Sequence, residues 1–148
     1  VTNHCKHSTI YIASGDHDED WLNTSVFPIL KEINVRFMIR EMSYENEQYD
    51  IYLRKQACLL YYIINDNERL SHLATELAFL IGERQYYIVV CLQSIIKENS
   101  EEILSKSERA DIERSRKYLE DLAKKEKIVL YQTREDSWRH VLSFFLQN

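Results

Sequence analysis

Glu76 is the side chain of this sequence whose setting most invites chemistry. It stands in "LSHLATELAFLIG", residues 70–82, among Leu73, Ala74, Leu77 and Leu80. At helical spacing those residues form an apolar stripe with Glu76 on its edge. A carboxylate there is either a boundary charge paired with His72 one turn earlier, or a reactive group held beside a pocket. Burying it would require a partner for its charge. On spacing alone the pair with His72 is the plainer reading.

A second group is "GDHDED", residues 15–20. Asp16, Asp18, Glu19 and Asp20 are oxygen donors suited to a hard cation, and Asp66 follows a later apolar run. Together they resemble the acidic pocket of a phosphoacceptor receiver domain. That pocket needs a lysine after the last strand, and "YQTRED" has none. The plainer reading is a solvated acidic loop that favours the start of the next helix. The chain has only two glycines, too few for a phosphate loop or a dinucleotide fingerprint. Cys5, Cys58 and Cys91 lack metal-ligand spacing. No metal or cofactor is expected. Cys58 and Cys91 sit in apolar runs, where a reduced cysteine behaves as a small hydrophobe. With no secretory signal in view, this reads as an intracellular, reducing setting, cytoplasmic or nuclear.

These groups need a scaffold, and the patterning supplies one. Strand-like runs at 9–14, 35–42, 58–64, 86–92 and 127–132 alternate with helical patterns at 21–33, 46–57, 70–82, 107–126 and 136–146. Pro28 kinks the first helix or restarts it. Gly82 suits a helix end, and Ser105 with Glu108 can form a capping box. The run "CLLYYII" is apolar throughout, as a strand covered on both faces requires. Most tyrosines, such as Tyr61, Tyr62 and Tyr87, read as core or sheet packing, and His72 as a boundary residue. The alternation predicts an α/β three-layer sandwich, flavodoxin-like or Rossmann-like, with a five-stranded parallel sheet in the order 2-1-3-4-5. Its carboxyl end gathers Ser14, Gly15 and Asp16 with Asn65 and Asp66, where a nucleotide-like ligand fits the fold.

With 148 residues the chain is expected to form one domain, 1–148. A formal charge of −5 without clustered Lys and Arg excludes a general nucleic-acid binder. No apolar run approaches the ~20 residues of a membrane span. Opening on Val1, the sequence fits a domain excised from a longer protein.

Three pieces, "IYIASG", "YDIYLRKQACLLYYIIND" and "ATELAFLIGERQYYIVV", fall in the order and spacing of the nucleoside 2-deoxyribosyltransferases, and the resemblance covers residues 9–92. In that family a glutamate on the helix after the third strand attacks the sugar's anomeric carbon and releases the base. The resemblance puts Glu76 in the nucleophile's place. Tyr11 matches a tyrosine that lies against it, and Asp50 an aspartate that contacts the base and moves its proton. Ser14, Gly15, Asp16, Asp66, Ser71 and His72 would then bind substrate. The match turns the reading of Glu76 toward a pocket.

Several positions depart from the family. Leu70 and His72 stand where it has an aspartate and a glycine that serve the sugar. Cys58 replaces an acidic residue, and "SGDHDED" lacks the usual glycine-rich approach. Each change weakens sugar binding more than the fold. The pattern is most similar to deoxyribosyltransferase-like domains embedded in large animal regulatory proteins, some of the Jun-kinase pathway. It implies a partly degenerate module with a nucleoside or nucleotide ligand and protein partners in the full-length chain. Family members are commonly oligomers, so self-association is a further expectation. The alternative is an active N-glycosidase or transferase using Glu76. A TIR-type NADase shares the fold and a helix glutamate, but its diagnostic loop is missing.

Overall fold

The computed structural model describes residues 8–15, 18–40, 47–65, 70–93 and 105–147, with the backbone alone at 70–72. Five strands form one sheet: β1 (Thr9–Ser14), β2 (Arg36–Ile39), β3 (Leu59–Asn65), β4 (Ile88–Gln93) and β5 (Leu130–Tyr131). All neighbours are parallel and the order is β2-β1-β3-β4-β5, the order expected from the sequence. β3 is buried at every position, which explains its unbroken apolar run.

The helices are α1 (Glu19–Trp21), α2 (Phe27–Glu32), α3 (Glu47–Gln56), α4 (Leu70–Glu83), α5 (Lys106–Lys125) and α6 (Arg134–Leu146). Strand alternation sends Tyr11, Ala13, Leu60, Tyr62 and Ile64 toward α3, α4 and α5. Ile10, Ile12, Leu59, Tyr61 and Ile63 go to the opposite core, under α2 and α6. Two apolar layers therefore enclose the sheet, and each strand serves both. Burying such side chains stabilises the fold by roughly 1.5–3 kcal/mol each.

Local details differ from expectation for identifiable reasons. The first helical stretch is interrupted by a π-helical turn, Leu22–Val26, between α1 and α2. Pro28, in the first turn of α2, has no N–H to offer the carbonyl four residues back, so the helix restarts there. Gly82 does not end α4 but lies in its last turn, and Arg84, at φ 57°, takes the left-handed position that follows. β5 is only two residues long, and Lys127, at φ 59°, turns the chain into it. The capping box at α5 is present, with Ser105 Oγ accepting from the Glu108 N–H and Glu108 accepting from the Ser105 N–H.

Cys58 is disulfide-bonded, so the reduced thiol expected there is not found. Cys91 is free and buried, and burial pushes its thiol up to about 11. Tyr87 is 40% exposed rather than packed in the core, and its hydroxyl meets His140 Nε2 at 2.7 Å. No helix among the described residues is long and apolar enough to cross a membrane.

Candidate functional site

Glu76 sits in the second turn of α4, whose stripe of Leu73, Ala74, Leu77, Leu80 and Ile81 is buried against the sheet. Its side chain keeps 20% exposure. Oε1 accepts from Arg54 Nη1 at 3.0 Å, and Oε2 accepts from the Tyr62 hydroxyl at 3.0 Å. Arg40 Nε lies 3.4 Å from Oε2. Three elements bring these donors together. Arg54 follows Asp50 by one turn of α3, so both point inward and both are buried. Tyr62 shares its face of β3 with Leu60 and Ile64. Arg40 follows β2 directly, where its backbone N–H bonds to the Ile12 carbonyl at 2.9 Å.

Tyr11 joins this cluster from β1. Its hydroxyl donates to Asp50 Oδ1 at a long 3.5 Å, and the Arg54 guanidinium lies 5.9 Å from its ring centre. Burial raises the Tyr11 pKa, and the carboxylates of Asp50 and Glu76 raise it further. Burial and Glu76 act on Tyr62 in the same direction. For Arg54 burial works against the charge, but Tyr62, Glu76 and Tyr11 more than offset it, and its pKa is raised. The phenols are therefore fixed as neutral hydrogen-bond donors and Arg54 as a cation. Glu76 has a donor on each oxygen and two guanidinium groups in reach. Oxygens already engaged in this way must give up a partner before they can attack a substrate.

A second polar cluster occupies the carboxyl ends of β3 and β4, on the other face of the sheet. Its centre is Asp18, 1% exposed, which contradicts the solvated loop expected for this residue. Asp18 Oδ2 accepts from Asn65 Nδ2 at 3.0 Å. Oδ1 accepts from Gln93 Nε2 at 3.3 Å and Arg134 Nη1 at 3.2 Å. The Asp18 N–H bonds to the Gly15 carbonyl at 3.2 Å, which ties the loop after β1 into the cluster. Arg134 also packs 5.0 Å from the centre of the Trp21 ring. Glu19 and Asp20 are exposed, as expected for that loop. Among the described residues no three His, Cys, Asp or Glu side chains are grouped to hold a metal.

Of the expected site residues, Tyr11, Asp50 and Glu76 do meet in one cluster. Ser14 is half-buried and Gly15 buried at the end of β1. Asp16 and Asp66 lie outside the described residues. So do the side chains of Ser71 and His72, although both residues belong to α4. Glu76 finds its partners on the sheet and α3 rather than on its own helix alone. Sequence reading missed Arg40, Arg54, Tyr62, Gln93 and Arg134 as members of either cluster. Arg54 had a signal, its one-turn spacing from Asp50. Arg40 and Arg134 had none, because their partners are brought near only by the sheet order.

No family model matches the chain, and no curated protein matches it in sequence.

Proposed function

We propose that this chain is a deoxyribosyltransferase-like module that binds a nucleoside or nucleotide without turning it over. The observation that carries this reading is the occupancy of Glu76. Its two oxygens hold Arg54, Tyr62 and Arg40 at 3.0–3.4 Å, so the carboxylate acts as a structural counter-ion. Leu70 and His72, where the resembled family has sugar-binding aspartate and glycine, point the same way. The module is read as part of a larger regulator, whose protein partners engage other parts of the full-length chain.

One feature favours the active alternative: Tyr11, Asp50 and Glu76 share a cluster, and Glu76 keeps partial access to solvent. In that reaction a Glu76 oxygen bonds to the anomeric carbon as the bond from sugar to base breaks. For this step Asp50 must hold a proton, which it delivers to the departing base and recovers from the water that then cleaves the glycosyl ester. The step requires Arg54 and Arg40 to release the carboxylate as the sugar arrives.

The two readings separate in one experiment. The purified chain is screened by thermal shift against nucleosides, deoxynucleosides, nucleotides, NAD and free bases, and each ligand found is followed by chromatography. Stabilisation without base release is the expected result. Base release by the wild type that disappears in Glu76→Gln would establish the enzyme instead. No shift with any compound would remove the ligand from the proposal.

A further inference from the structure

The Asp18 cluster has a feature that a purely structural tie does not explain. Asn65, 1% exposed at the end of β3, donates its amide N–H to Asp18, while its Oδ1 has no hydrogen-bond partner among the described residues. A carboxylate accepts hydrogen bonds and cannot donate them, so Asp18 fixes which way the amide turns. Gln93 is oriented by the same carboxylate in the same sense. Buried polar atoms are rarely left unpaired, because the loss of water is then uncompensated. The charge of Asp18 is already answered by Arg134 at 3.2 Å. What remains is an oriented acceptor, which takes a hydrogen-bond donor and disfavours a carbonyl or an anion.

Its position and surroundings narrow the donor further. In open parallel sheets ligands bind outside the carboxyl ends of the strands, where the strand order reverses. Here that reversal lies between β1 and β3, and Asn65 ends β3. Beside it, the Arg134 guanidinium packs on the Trp21 ring at 5.0 Å while its side chain stays 30% exposed. A guanidinium face backed by an indole is a stacking surface for a flat heterocycle.

We infer that the carboxyl end of β3 is a second ligand site, taking an amino-bearing nucleobase whose exocyclic N–H₂ donates to Asn65 Oδ1. The ring stacks on the Arg134–Trp21 pair, and Asp18 is the positioning residue that keeps Asn65 turned as an acceptor. In the same pose an oxo base presents a carbonyl to that oxygen, and its neighbouring ring N–H can donate there only if the base shifts off the stacking pair. The preference follows because a site built for one hydrogen bond leaves the wrong partner unpaired. This site does not depend on Glu76, which lies on the opposite face of the sheet.

The test is a nuclear magnetic resonance titration of the whole chain with adenosine and cytidine, each against its oxo counterpart, inosine or uridine. The Asn65 side-chain amide and the Trp21 indole are the reporters. The amino nucleosides are expected to shift both and to bind about tenfold or more tighter than the oxo ones. In Asp18→Asn the neighbouring amide can donate or accept, so Asn65 is free to turn and the preference should vanish. Trp21→Leu is the second variant, expected to weaken the amino nucleosides while their preference over the oxo forms persists. Equal affinity for the two classes, or shifts confined to the surroundings of Glu76, would overturn the assignment. So would the absence of a shift anywhere in the chain. The nucleoside reading of the Glu76 site survives the second of these results and not the third.

Discussion

Glu76 shows how one carboxylate can be read three ways until its partners are known. As an exposed partner of His72, its loss would cost a few tenths of a kcal/mol. As a free nucleophile, Glu76→Gln would leave stability nearly intact. The structure ties it to Arg54, itself 8% exposed, so the amide would leave a buried cation with reduced compensation. Glu76→Gln is therefore expected to lower stability by about 1–3 kcal/mol, measured by urea denaturation. Arg54→Met combined with Glu76→Gln should recover part of that loss, since no orphaned charge remains. Tyr11 and Asp50 were singled out in the sequence by a resemblance alone, Glu76 by its apolar setting as well, and the structure brings the three into one cluster. Arg40 and Tyr62 were not legible as site residues, because what makes them carboxylate partners is a meeting of separate elements with α4, whereas Arg54 at least shares a helix face with Asp50. Asp18 was misread for the same reason, its burial depending on side chains 47, 75 and 116 residues away.

Whole elements were more legible than their ends. Five strands and their order follow from alternating apolar runs and the handedness of parallel crossovers, which local errors do not disturb. Boundaries depend on single residues. A lysine and an arginine in left-handed conformations, Lys127 and Arg84, end or redirect the chain where a glycine would be the usual signal. The shortness of β5 escaped sequence reading too, since "KIVLYQ" has strand composition but only Leu130 and Tyr131 pair with β4. The start of α5 is the counterexample, with both halves of its capping box visible in "SKSE". Ser105→Ala is expected to destabilise the chain by about 1 kcal/mol in thermal or chemical denaturation. A substitution to Asn should retain most of that stability, because Asn also caps well.

The two cores of the molecule together place Tyr11, Tyr61, Tyr62 and Cys91 out of water. Tyr11, Tyr61 and Tyr62 are all raised above the ordinary 10.0, chiefly by burial, and Cys91 moves from 9.0 to about 11. A group raised in the folded state stabilises it fully below its unfolded pKa and loses that contribution as pH rises toward the folded value. Stability should therefore hold up to about pH 9 and fall steadily above it. A tyrosinate absorbance titration followed beside circular dichroism is expected to show these phenols ionising only as the fold is lost. Smooth ionisation of all ten tyrosines in the native state would contradict the buried set. The Asp18 cluster also has a bearing on time. Its bond to Arg134 spans 116 residues, and the chain pays most of its loop entropy before such a contact can close. Interactions of that span contribute little to the transition state and act mainly against unfolding. In stopped-flow chevrons Asp18→Asn should steepen neither limb, speed unfolding and leave the refolding rate nearly unchanged. A loop made early in the chain is thus among the last parts of it to be fixed.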